Sequence, residues 1–261
     1  MSDPGTSGLL AGKKGLVLNI TNKNSIGWAI AEAAHLHGAE VGVGGQNERL
    51  LESVLKLIEG QPRFKSFTID FGNDAEYDQL VEQVKKSYGS LDFVVHSAAF
   101  APKEAMQGKF IDTTREDFAV ALDVSCYSFL KLAATVKPLM NPGGSLMTLT
   151  YLGSVRAMRA YNVMGVAKAA LESTMRYLAI DLGEVGVRVN ALSPGPMNTV
   201  AARGVPGLRE MIDFVSEKAP MKRAAVQEDV GGSAVYLLSE LSSGVTGEVI
   251  YVDAGYNIMA M

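Results

Sequence analysis

At 261 residues the chain falls in the range where one α/β domain closes around a single core. Its residues are 48% hydrophobic and 20% charged, a balance unlike that of disordered or fibrous chains. A net charge of −4 gives no bulk electrostatic basis for binding nucleic acid, and a single cysteine, Cys126, excludes an internally stapled secreted scaffold.

Met1 to Gly8 is small and polar, without the apolar stretch of a secretory signal, and residues 1–11 read as a flexible tail ahead of a domain over 12–261. No apolar run is expected to span a bilayer, so a cytoplasmic protein without a membrane partner is the expectation. Gly15 to Ile20 then reads as a buried strand, and Ile26 to His37 has helical spacing of apolar residues. A strand over Ala39 to Gly44 and a helix over Glu48 to Ile58 follow. Next come a strand over Phe64 to Ile69, a helix from about Ala75 to Ser87, and a strand over Leu91 to His96. Beyond a loop, Arg115 to Val136 reads as one long helix and Gly144 to Leu149 as a strand. Asn162 to Leu182 is helical, Gly186 to Leu192 extended, Gln227 to Ser239 helical and Glu248 to Val252 a final strand.

This alternation, without repeats or a mid-chain linker, predicts a single-domain α/β fold: a doubly wound, Rossmann-like parallel sheet of about seven strands with helices on both faces. Ligands in such a sheet lie at the carboxyl ends of the strands. The first strand-to-helix turn, Asn19 to Gly27, is where a dinucleotide pyrophosphate would face a helix N-terminus, although it lacks the GxGxxG pattern. Ser25 is placed as the N-cap and Gly27 permits close backbone approach. At the end of the second strand, uncharged Gln46 suits a ribose hydroxyl and Arg49 reads as a solvated first-turn residue. NADH is therefore expected over NADPH.

Tyr161 and Lys168 lie close to two turns apart on one predicted helix, so their side chains emerge on one face. An ammonium beside a phenol favours the phenolate, making the hydroxyl a better acid toward a developing oxyanion. The lysine is also placed to hold ribose hydroxyls of the cofactor.

Around this pair stand Leu149-Thr150-Tyr151-Leu152-Gly153, the run from Tyr161 through Lys168 to Glu172, Val187 to Ala191, and Ser193 to Thr199. In these stretches, from about Gly12 to its last residues, the chain resembles the short-chain dehydrogenases and, among them, the enoyl-acyl carrier protein reductase family. Ketone-reducing relatives carry a serine where this chain has Thr148, whereas the enoyl reductases are similar to it in having a second tyrosine, Tyr151. The resemblance implies hydride delivery from NADH to the β-carbon of a trans-2-enoyl thioester carried by acyl carrier protein. It implies Tyr161 at the thioester oxygen, Lys168 on the nicotinamide ribose and Tyr151 in the substrate pocket. Asp70 and Phe71 would flank the adenine, Ser97, Ala98 and Ala99 the cofactor cleft, and Thr199 the pyrophosphate, together with Asn19, Ser25 and Ile26 of the first turn. No metal is needed, because donors meet the oxyanion. The resemblance also implies a homotetramer formed through the edge near Val249 to Gly255. Departures are Asn19, where glycine is commoner, and the bulkier loop Ser97-Ala98-Ala99-Phe100.

Two other readings stay open: a carbonyl or alcohol dehydrogenase of the same fold, and a non-catalytic nucleotide-binding homologue. Residues 199–218 suggest a lid with Ala201, Val205, Leu208, Met211 and Ile212 as its apolar face, or else a helix packed on the core. Arg203 and Arg209 are candidates for steering an acidic carrier. His35, His37 and His96 have no metal-like spacing, and His96 reads as structural.

Overall fold

The computed structural model describes residues 8–158, 161–199, 202 and 207–260. Seven parallel strands form one sheet in the order β3-β2-β1-β4-β5-β6-β7. They are β1 (Lys14–Leu18), β2 (Glu40–Gly45), β3 (Phe64–Thr68), β4 (Leu91–His96), β5 (Met140–Leu149), β6 (Arg188–Pro194) and β7 (Val249–Val252). The doubly wound expectation holds, and β1 and β4 meet at the point where strand order reverses.

The helices are α1 (Ile26–Leu36), α2 (Glu48–Ile58), α3 (Asp74–Ser87), α4 (Arg115–Leu122), α5 (Ser128–Val136), α6 (Asn162–Gly183), α7 (Leu208–Lys218) and α8 (Gln227–Leu238). Alternating strand residues feed two cores. Leu16, Leu18 and Phe67 pack with Leu80 of α3, Phe129 of α5 and Leu171 of α6 on one face. On the other, Val17 and Val43 pack with Trp28 and Ile30 of α1, Val54 of α2 and Val230 of α8. Each such side chain contributes roughly 1.5–3 kcal/mol by burial. At the α1–α8 crossing, a Cβ on Gly231 would stand 3.0 Å from the Ala29 carbonyl oxygen and from the Ala33 Cβ, so glycine lets the helices lie close without crowding.

Four corrections to the sequence expectations follow. The expected tail through residue 11 is too long, because Leu10 is fully buried and its N–H donates to the His37 carbonyl at 3.0 Å. β5 begins at Met140 rather than Gly144, with a register shift where Pro142-Gly143-Gly144 interrupts its pairing with β4. The single long helix expected over Arg115 to Val136 is broken by a π-helical turn, Asp123–Tyr127, between α4 and α5. Finally, the helical stretch Arg115–Leu139 is 25 residues long with mean hydropathy 1.4 in its best window, so it meets a bilayer's length and composition after all. Here it lies against the sheet, with Phe129, Leu132, Ala133 and Val136 buried in the core.

Candidate active site

The carboxyl ends of β1, β4, β5 and β6 open into a cavity of about 520 Å³. At its floor β1 turns through Asn19, whose φ of 67° is the left-handed region that glycine adopts freely and asparagine tolerates. The Asn19 amide donates to the Ser97 carbonyl at 3.4 Å, and the Ser97 hydroxyl donates back to the Leu18 carbonyl at 2.6 Å. These bonds join the two strands at the switch point.

Ser25 caps α1 as expected, its hydroxyl accepting from the Trp28 N–H at 3.2 Å. Ile26 and Gly27 open the helix at the cavity wall, and as first-turn residues their N–H groups have no intrahelical acceptor. That end suits a phosphate. A Cβ on Gly27 would stand 2.7 Å from the Ser97 hydroxyl, so glycine is what lets the helix approach the β4 end. Asn19, Ser25, Ile26, Ser97, Ala98, Ala99 and Thr199 all line the same cavity, and the Thr199 hydroxyl accepts from the Ala202 N–H at 3.1 Å. The residues present therefore fit a dinucleotide along this wall.

Gln46 and Asp70 lie outside the cavity lining, at the ends of β2 and just past β3, where the Gln46 amide donates to the Asp70 carboxylate at 3.2 Å. The Phe71 ring is turned into the core, edge-on to His96 at 4.9 Å and to Tyr77 at 6.0 Å, so that only its main chain could flank an adenine.

At the opposite wall Tyr161, at the N-cap of α6, and Lys168 on that helix reach the cavity, and the end of β5 delivers Tyr151. The rings of Tyr151 and Tyr161 meet edge to face. Gly153 makes room for them, since a Cβ there would stand 2.5 Å from the Tyr161 ring. Thr148, at the place of the ketone reductases' serine, does not enter the site. It is fully buried, 3.2 Å from His96 Nδ1.

Lys168 is only 5% exposed and its ammonium donates to the Leu149 carbonyl at 2.7 Å. Burial pulls its pKa down to about 8, opposed by the charge of Glu172 and by Cys126. Around Tyr161, burial raises the phenol's pKa and the neighbouring Tyr151 adds to it, so Tyr161 is a neutral O–H donor. Burial likewise lifts Tyr151 to about 12, with Tyr256 and Asp253 contributing. His96, between Thr148 and the Ser128 hydroxyl at 2.8 Å, is held down to about 3 by burial and by the charge of Lys168. It is the neutral structural residue its sequence context suggested.

The segment after Thr199 contains α7, whose Leu208 and Met211 line the cavity. The Tyr151 hydroxyl donates to the Met211 sulfur at 3.2 Å. Ala201, Arg203 and Val205 lie outside the described residues. Residues missed from the sequence include Met106 and Met164 in the lining, where Phe100 of the bulkier loop also stands. Pro194 to Met197 line it as well, in a stretch already noted for its resemblance but given no role. Thr150 and Glu172 were also missed. Both are buried and joined by a hydroxyl-to-carboxylate bond of 2.6 Å, and two polar residues 22 positions apart, one past a strand and one on a helix, share no periodic signal.

Known proteins resemble this arrangement over the whole chain. The family model described as enoyl-(acyl carrier protein) reductase matches residues 20–257. The chain is 47% identical over 254 residues to the enoyl-(acyl-carrier-protein) reductase (NADH) FabI of Rickettsia felis, covering 97% of this chain and 98% of that protein. The crystal structure of the enoyl-(acyl-carrier-protein) reductase of Anaplasma phagocytophilum in complex with NAD superposes with a TM-score of 0.94 at 39% identity, covering 98% of each chain. That of the Bacillus cereus enoyl-acyl carrier protein reductase with NADP+ and indole naphthyridinone also gives 0.94, at 42% identity over 97% of this chain and 100% of that one. With the tyrosine pair, the lysine and the α1 cradle in one cavity, the chain belongs to the enoyl-(acyl carrier protein) reductase family.

Proposed function

We propose that Tyr161, Lys168 and Tyr151 carry the activity of this chain, the NADH-dependent reduction of the carbon–carbon double bond of trans-2-enoyl thioesters on acyl carrier protein, in fatty-acid elongation. The observation that supports this reading over a carbonyl dehydrogenase is the placement of Tyr151 against Tyr161 in the cavity while Thr148 turns into the core. When bound, NADH supplies the hydride that adds to the β-carbon.

The chain's residues do the rest. The first-turn N–H groups of Ile26 and Gly27, with Thr199, meet the pyrophosphate, and Asn19 shapes the turn beneath it. Ser97, Ala98 and Ala99 form the wall of the cofactor cleft. Gln46 and Asp70 serve the adenosine end, where the neutral amide suits a ribose hydroxyl better than a phosphate. Lys168 holds the nicotinamide ribose. Tyr161, kept protonated by burial, donates to the thioester oxygen as negative charge develops there, a contribution of about 10²–10⁴ in rate. Phe100, Met106 and Met211 exclude water around the acyl chain.

Residues 199–218, with Leu208 and Met211 inward, act as the lid on that chain, and Arg209 steers the acidic carrier. The subunits assemble as a homotetramer. Exposed Phe118, Tyr127 and Leu130 on the α4–α5 side, exposed Tyr177 and Ile180 on α6, and the open edge of β7 support that assembly. The lone cysteine supports work in a reducing cytoplasm.

The test follows NADH absorbance with crotonyl-coenzyme A and, separately, acetoacetyl-coenzyme A. Oxidation with the enoyl substrate alone, lost in Tyr161→Phe while NADH still binds, is the expected result. Turnover of the ketone alone would overturn it.

A further inference from the structure

Glu172 is a buried carboxylate that the reduction as described leaves unused. It lies one turn beyond Lys168 on α6, and the side chains of both are nearly closed off from solvent, at 6% and 5% exposure. Each grips a different residue at the end of β5: Lys168 the Leu149 carbonyl at 2.7 Å, Glu172 the Thr150 hydroxyl at 2.6 Å. Thr150 is tied on its other side by its N–H, which donates to the Leu192 carbonyl at 2.8 Å. The next residue is Tyr151. Successive turns of one helix therefore hold successive residues of the strand end from which the second tyrosine of the pair projects.

We infer that Glu172 is a positioning residue for the reduction: its carboxylate is the counter-charge to the Lys168 ammonium and, through Thr150, fixes the strand end that carries Tyr151. A buried ammonium without a counter-charge sheds its proton. Of the other titratable groups around this pair, His96 of β4 is neutral and Tyr161, just ahead of α6, is protonated, while Cys126 of the π-helical turn acts on Lys168 in the same direction as Glu172 but less strongly. The phenol of Tyr251 on β7 is raised by burial, by the Glu172 charge and by that of Asp253. The Glu172 charge thus acts on both Lys168 and Tyr251.

The inference rests on Lys168 being the cofactor anchor, so both are tested by NADH affinity, read as fluorescence quenching across about pH 6 to 10. In the native protein affinity is expected to fall on the alkaline side, burial having brought the loss of the Lys168 proton down to about pH 8. Glu172→Gln keeps a carbonyl acceptor for Thr150 but no charge, and its fall is expected about one pH unit lower. Glu172→Asp retains the charge at a greater distance and moves the fall the same way by less; it serves if the glutamine variant does not fold. Thr150→Val leaves the fall in place and instead lowers turnover of the enoyl thioester at every pH. A fall that Lys168→Met abolishes, yet that stays unmoved in the Glu172 variants, overturns the role of Glu172 alone. A fall that persists in Lys168→Met overturns the anchor and the inference with it.

Discussion

Tyr151 and Tyr161 meet with ring centroids 4.9 Å apart and planes inclined at 63°, an edge-to-face pair of aromatic residues that reach the cavity from a strand end and a helix start. Such a pair is worth about 0.5–1.5 kcal/mol beyond the area it buries. Tyr151→Ala therefore loosens the orientation of Tyr161, and kcat/KM for an enoyl thioester should fall about tenfold with NADH affinity unchanged. Tyr151→Phe keeps the ring pair and should lose less. Steady-state kinetics with NADH binding measured in parallel distinguish the two; equal loss in both variants would count against a packing role.

Asn19 holds a φ of 67° at the base of the cofactor turn. Asn19→Gly suits that backbone and should leave the melting temperature level or slightly higher. Asn19→Val places a branched side chain where it costs roughly 1–2 kcal/mol. Differential scanning fluorimetry with and without NADH should show that variant several degrees lower and less stabilised by the cofactor.

His96 has its pKa lowered by burial from 6.5 to about 3, so it stays neutral in the folded chain. The unfolded chain takes up a proton through 6.5 and the native chain does not. Its contribution to stability is thus complete above pH 6.5 and is lost, by about 1.4 kcal/mol per pH unit, as pH falls toward 3. Urea unfolding at neutral pH and at about pH 5 should show a shallower loss for His96→Gln than for the native chain. Identical slopes would refute this assignment.

The hydroxyl of Tyr151 reaches the sulfur of Met211 at 3.2 Å and so joins α7 to the tyrosine pair. Amide exchange over Leu208–Lys218 should slow when NADH and an acyl analogue are both bound, and Met211→Ala should weaken that protection and raise KM. Unchanged exchange in the native protein would argue for a helix merely packed on the core.

Replacing Arg209 with Glu should impair turnover of carrier-bound substrate far more than of the coenzyme A thioester. Equal loss on both substrates would remove the steering role.

The sheet was legible because Val, Ile and Leu runs such as Gly15 to Ile20 alternate with helices whose apolar spacing is regular, and both signals are local. That Tyr161 and Lys168 face one cavity was legible because they sit two turns apart at the start of α6. The π-helical turn was not: Asp123–Tyr127 keeps the composition of a helix, and only the register of hydrogen bonds distinguishes it. That the Phe71 ring turns into the core against His96 and Tyr77 was not legible, because it depends on how β3 and α3 pack. Glu172 and Thr150 were missed because their bond depends on how α6 lies against β5, a long-range relationship.

That β1 pairs with both β2 and β4 has a consequence during synthesis. The register Leu18↔His96 means that one edge of β1 has no complete partner until residue 96 has left the ribosome. At about 5–20 residues per second, an open row of backbone donors and acceptors flanked by Leu16, Val17 and Leu18 persists for several seconds on the nascent chain. A chaperone that recognises short extended apolar segments would find its target in that interval, and a ribosome stalled before residue 91 would present the chain at its most aggregation-prone.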